Sequence, residues 1–222
     1  MMAPRPSGPT VMAERQAHWQ SVYRDKSPLQ TSWYRPHLDE SLRLIAMLGL
    51  PTAAPIIDVG GGRATLADDL LDRGFTDLTV LDLAEVALAE SHQRLGRRGD
   101  AVHWLCGDAT ACVLPDARYL LWHDRAVFHF LTDPVDRERY IAHAGRAIDP
   151  AGYAIIATFA PDGPERCSGL PVRRYDAASL YHPFAREFDL LQSSREVHHT
   201  PSGNAQPFTY VVMRRRPSSK ES

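Results

Sequence analysis

The sequence predicts an α/β fold in which a doubly wound, mostly parallel seven-stranded sheet ends in an antiparallel hairpin. Three observations carry that expectation. Short apolar runs alternate with helical patterns, as in a parallel sheet covered on both faces. Successive runs stop at glycine or aspartate. After Pro171 the alternation gives way to two strand patterns in a row.

Pro55-Ile56-Ile57-Asp58-Val59 is the first run, and it stops at Gly60-Gly61-Gly62. Leu66, Leu70 and Leu71 then share one helical face, and that helix ends at Gly74. Leu78 to Leu81 is the second strand, closed by Asp82; a helix over 85–95 follows and ends at Gly96. Val102 to Cys106 is the third strand, closed by Gly107-Asp108. A fourth strand is expected over 119–122, a helix over about 135–148, and a turn at Asp149-Pro150-Ala151-Gly152. The apolar run 153–159 is the fifth strand, a short helix spans 177–184, and the closing strands cover 188–197 and 208–214.

With 222 residues, 44% of them hydrophobic, the chain is long enough to bury a sizeable core. We read Met1 to Thr10, rich in Pro, Ser and Gly, as a flexible leader. Residues 11–216 read as one domain whose first forty (11–50) form a helical lid, and 217–222 as a flexible tail. The formal net charge of -2 argues against an electrostatic nucleic-acid binder, and no apolar run approaches a membrane span. Cys106, Cys112 and Cys167 have no paired spacing, so neither a disulfide framework nor a metal cluster is expected, and the expected compartment is the cytoplasm.

In an open α/β sheet, ligands bind beyond the carboxyl ends of the strands, where the strand order reverses. Three consecutive strands end here in Asp58/Gly60, Asp82 and Asp108. Glycine lets backbone approach a ligand, and an acid about 20 residues past the glycine turn is placed to accept ribose hydroxyls. A nicotinamide dinucleotide is one candidate ligand, but Thr65 stands where that fingerprint has glycine or alanine.

Ile57-Asp58-Val59-Gly60-Gly61-Gly62, Leu81-Asp82-Leu83, Cys106-Gly107-Asp108-Ala109 and Ile148-Asp149-Pro150-Ala151-Gly152-Tyr153 together resemble the motifs of class I S-adenosylmethionine-dependent methyltransferases. The likeness covers roughly residues 15–215 and implies a Rossmann-like sheet with S-adenosylmethionine as cofactor. It implies that Gly60 and Gly62 face the cofactor's amino acid end, that Asp82 binds ribose and that Asp108 meets the adenine amino group. The same turns bring Asp58, Gly61, Leu83, Gly107 and Ala109 into the cofactor set. Trp33 joins it from an aromatic lid with His18, Trp19, Tyr23 and Tyr34, and His123 joins it from the fourth strand.

Leu121 to Phe130 occupies the end of the fourth strand, where reacting groups sit in this fold. His123, Asp124, Arg125 and His129 are the candidate catalytic residues, since His and Asp can take a proton from an acceptor. The Pro/Gly-dense stretch from Phe159 to Pro171 is expected to be a shaped loop at the same end. The expected activity is methyl transfer to a small-molecule acceptor such as a thiol or amine. The alternatives are a protein lysine acceptor, or a dinucleotide-dependent oxidoreductase.

Overall fold

The computed structural model describes residues 9–217. The leader read over 1–10 and the tail read over 217–222 lie outside the described residues, apart from residues 9, 10 and 217.

The chain opens with helices α1 (Pro9–Asp25) and α2 (Asp39–Met47). Strand β1 (Ile56–Val59), helix α3 (Leu66–Asp72), strand β2 (Leu78–Asp82), helix α4 (Glu85–Leu95) and strand β3 (Val102–Cys106) follow as the apolar rhythm predicts. Strand β4 (Tyr119–Arg125) leads through a short 3-10 turn at Phe128–Phe130 to helix α5 (Pro134–Ala147) and strand β5 (Ile148–Phe159). A small hairpin, β6 (Arg166–Cys167) and β7 (Leu170–Pro171), precedes helix α6 (Ala177–Tyr181) and the long strands β8 (Phe188–His199) and β9 (Ala205–Arg215). Local chemistry fixes several of these ends. Asp133 caps α5 by accepting from the Val135 amide at 2.8 Å, with Pro134 pre-set in the first turn.

The main sheet has seven strands in the order β3-β2-β1-β4-β5-β9-β8. Pairs among β1 to β5 are parallel, and β9 lies antiparallel to both β5 and β8. The order reverses between β1 and β4, which creates a crevice at their carboxyl ends. Side-chain alternation divides the core between the two faces. Ile56, Leu121 and Ile155 belong to one cluster, and their neighbours Ile57, Trp122 and Ile156 to the other.

Two boundaries differ from the sequence reading. Strand β4 continues past Trp122 to Arg125, because Asp124 pairs with Val59 and Arg125 with Ala157. Polar side chains there look like a loop in the sequence, yet the backbone ladder is intact. The expected turn at 149–152 is instead a bulge within β5. Tyr119 pairs with Ile148 and Leu121 with Tyr153, so those four residues oppose Leu120 alone. No helix among the described residues is long and apolar enough to cross a membrane.

Candidate active site

A cleft of roughly 1020 Å³, open solvent included, lies over the carboxyl ends of the parallel strands. One half is built from three strand ends and holds Gly60, Asp82, Leu83, Gly107, Asp108 and Ala109. The other half is aromatic, with Phe130, Phe159 and Phe208 around Arg125 and Cys167. Helix α1 and Trp33 form the roof.

That roof is one helix face. Arg15, Trp19 and Tyr23 recur every four residues and all line the cleft. Trp19 packs edge-on against Trp33 at 5.9 Å and Phe130 at 5.1 Å, and Tyr23 meets Trp33 at 5.9 Å. Arg15 Nη1 lies 3.7 Å from Asp108 Oδ2, while Nη2 is bound to Asp136 on α5. The helix is therefore tied to both halves of the sheet. Arg63 fastens its C-terminal end from below, donating to the Tyr23 carbonyl with its guanidinium over the Tyr23 ring.

The glycine turn is crowded by its surroundings. Gly60 has φ +71, and a Cβ there would collide with Val127. At Gly62 a Cβ would come within 2.6 Å of the Tyr23 hydroxyl and 2.7 Å of Asp82 Oδ2. Gly60→Ala is expected to destabilise the fold by about 1–3 kcal/mol, from left-handed strain plus the clash. A urea midpoint matching that of the wild type would contradict this.

Asp82 is buried and lines the cleft, with Oδ1 accepting the Ala84 amide at 2.8 Å. Among the described residues no cation pairs with it. Burial pushes its pKa up to about 7, and the nearby negative charge of Asp58 adds to the shift. Asp108 uses Oδ1 to accept from both the amide and the hydroxyl of Thr110, each at 2.7 Å. Oδ2 faces Arg15.

Of the residues singled out in the sequence, Trp33, Gly60, Asp82, Leu83, Gly107, Asp108, Ala109 and Arg125 line the cleft. Asp58, Gly61, Gly62 and His123 do not line it. Asp58, Gly61 and His123 border a smaller adjoining pocket behind the glycine turn. His123 is fully buried there, with Nδ1 2.7 Å from Asp58 Oδ1 and Nε2 2.9 Å from Ser41 Oγ on α2. Both ring nitrogens are engaged, and His123 ties β1, β4 and α2 together.

Asp124 is likewise engaged within the fold and does not line the cleft. Its fully buried carboxylate accepts the amides of Val127 at 2.8 Å and Phe128 at 3.1 Å and the hydroxyl of Tyr140. These bonds hold a turn in which Ala126 takes φ +77, a left-handed conformation that a non-glycine residue adopts only under constraint. The turn delivers Arg125, Val127 and Phe130 to the cleft. His129 is packed between Phe130 and Phe159 with its Nε2 unpartnered, and burial lowers its basicity to about 3. It is a neutral core ring and does not line the cleft.

Sequence reasoning missed Arg15, Thr110 and Phe208, whereas Leu170 lies in the 159–171 loop expected at this end. The four-residue spacing of Arg15, Trp19 and Tyr23 was a signal for the first. Phe208 is brought in by its antiparallel pairing with Phe159, which no local pattern reveals.

Residues 56–152 match the family model described as a methyltransferase domain. The mouse (Mus musculus) eEF1A lysine and N-terminal methyltransferase is 23% identical over 149 residues, covering 64% of this chain and 21% of that protein. The chain therefore spans about a fifth of the length of the curated relatives it matches. The crystal structure of Burkholderia thailandensis 1,6-didemethyltoxoflavin-N1-methyltransferase, with bound 1,6-didemethyltoxoflavin and S-adenosylhomocysteine, superposes with a TM-score of 0.73. Sequence identity is 23%, covering 97% of this chain and 93% of that one. A structure from work on the conversion of a disulfide bond into a thioacetal group during echinomycin biosynthesis has the same TM-score of 0.73 at 20% identity, covering 92% and 94%. Residues 56–152 thus carry a methyltransferase-domain match, and the whole sheet shares the fold of S-adenosylmethionine-dependent methyltransferases of known structure.

Proposed function

We propose that the cleft transfers a methyl group from S-adenosylmethionine to a small molecule held in its aromatic half. The observation that carries this reading is the roof. Trp19 touches both Trp33 and Phe130 and Arg15 reaches Asp108, so α1 roofs both halves of the cleft and narrows its mouth. A protein lysine acceptor needs an open groove. The two structural neighbours named above concern small-molecule chemistry, whereas the eEF1A methyltransferases favour the protein reading.

The cofactor fits the residues present. A buried carboxylate with no paired cation, Asp82, suits the two hydroxyls of a ribose, and Asp108 with Thr110 suits an adenine amino group. The left-handed turn at Gly60 leaves bare backbone for the amino acid end. The bound cofactor supplies an electrophilic methyl on a sulfonium.

This chain's own residues then position rather than deprotonate. His123, Asp124 and His129 are all engaged in the core, and Glu196, the nearest carboxylate to Arg125, is held by Arg35 and Tyr210. An acceptor must arrive as a nucleophile or lose its proton to water. The aromatic walls of Phe130, Phe159 and Trp19 exclude water and hold it in line with the methyl.

Asp82 makes binding pH-dependent. In the folded protein the carboxyl keeps its proton up to about 7, against a reference of 3.8. Only the ionised form accepts both hydroxyl hydrogens. Affinity for S-adenosylhomocysteine is therefore expected to climb as pH rises through about 7 and to level off above it, by up to ~tenfold per unit. The unliganded fold shows the opposite sign, losing stability as pH rises through the same window, because the folded state binds the extra proton. A flat affinity profile across neutrality would contradict the assignment.

The activity itself is tested with methyl-labelled cofactor and a cell extract separated into filtrate and protein fractions. Label is expected in the filtrate. Label confined to protein would replace the small-molecule reading with the lysine one.

A further inference from the structure

Within the acceptor half, Arg125 is a cation without a full complement of partners. Its side chain is 5% exposed, yet Nη2 has no hydrogen-bond partner. Nε donates to the Tyr210 hydroxyl at 3.1 Å, and the guanidinium lies 4.2 Å over the centre of the Phe208 ring. The nearest carboxylate oxygen, Glu196 Oε2, is 4.0 Å from Nη2 and accepts from Tyr210 at 2.9 Å, while Oε1 is taken by Arg35. Glu196 therefore screens Arg125 without bonding to it.

The direction of the side chain matters as much as its charge. Arg125 pairs in register with Ala157, and Ala157 with Tyr210, so the guanidinium crosses β5 towards β9. It points away from Asp82 and Asp108, which stand on the opposite flank of β1. Around it the cleft wall is otherwise apolar, formed by Phe130, Phe159, Phe208 and Leu170. A buried guanidinium left one donor short is unfavourable unless a ligand completes it. Its planar fork matches a carboxylate, and the flanking rings match a flat hydrocarbon.

We propose that the acceptor is a planar aromatic or heteroaromatic acid whose anionic group docks on Arg125 while its ring stacks among Phe130, Phe159 and Phe208. This rests on the small-molecule reading of the cleft and narrows it to an anionic class. The methylated atom is a separate nucleophile of that acid: it bonds the methyl as the methyl–sulfonium bond breaks, S-adenosylhomocysteine leaves, and any proton shed passes to water. Arg125 is then a specificity-determining residue: it orients the acid and leaves the methylated atom facing the cofactor half.

The test is equilibrium binding to the full-length protein saturated with S-adenosylhomocysteine, using matched neutral and acidic probes: 2-naphthoate against 2-naphthamide, and indole-3-carboxylate against its amide. At least one acid is expected to bind roughly tenfold or more tightly than its amide, the worth of one charge-assisted contact. Arg125→Gln is expected to abolish that preference and Arg125→Lys to keep part of it, with S-adenosylhomocysteine affinity as the control for a folded site. If Arg125→Gln does not fold, the wild-type pairs decide the matter alone. Equal affinity for acid and amide, or no acid binding at millimolar concentration, overturns the proposal while leaving the methyltransferase reading intact. If instead Arg125→Gln weakens S-adenosylhomocysteine and keeps the acid preference, the cation serves the cofactor and the proposal is wrong. Wild-type protein that fails to bind S-adenosylhomocysteine removes both readings.

Discussion

Asp82→Asn is expected to lower affinity for S-adenosylhomocysteine about a hundredfold. Hydrogen bonds to a charged acceptor are worth about 1.5–3 kcal/mol each, and losing the ionised form weakens two of them. Asparagine is the informative replacement because its carbonyl oxygen still accepts the Ala84 amide, now made at 2.8 Å, so the turn after β2 is kept. The amide also removes the group that titrates near 7, and the variant's binding should no longer vary with pH through neutrality. Titration calorimetry reads both effects. A loss of threefold or less, or an equal loss in His129→Ala, would show that the ribose lies elsewhere, since His129 is buried away from the cleft.

Asp124→Ala is expected to cost about 3–5 kcal/mol of stability. The substitution strands three buried donors, the amides of Val127 and Phe128 and the hydroxyl of Tyr140. Tyr140 in turn accepts from Trp122 Nε1 at 2.8 Å and packs on Phe128 at 5.2 Å, so the loss spreads into the core beneath the cleft. Burial raises the Asp124 pKa to about 6, opposed by the Tyr140 hydroxyl and the two amides. Urea unfolding measures the cost. Wild-type stability with turnover abolished would restore the acid-base role that the sequence suggests.

Much of the sheet is legible in the chain because parallel strands buried on both faces read as continuous apolar runs ending in glycine or aspartate. The half of the cleft built from strand ends is legible for the same reason: Gly60, Asp82 and Asp108 sit there, and strand ends converge by topology. The aromatic half is not. His123, Asp124, Arg125 and His129 lie within seven residues, and nothing in their order says which reaches the cleft. Alternation sends successive β4 side chains to opposite faces, and Ala126 then turns the chain, so Arg125 arrives while Asp124 is turned inward. Phe208, Tyr210 and Glu196 join it through strands some eighty residues downstream, a pairing that depends on long-range register.

Asp82 and Asp108 are proposed to hold one adenosyl group beneath the α1 roof. A crystal structure with S-adenosylhomocysteine measures this directly. The expected density places the ribose hydroxyls on Asp82, the adenine beside Asp108 and Thr110, and the sulfur towards Phe130 and Arg125. Nucleoside density seated anywhere else, with those two carboxylates bare, would contradict it.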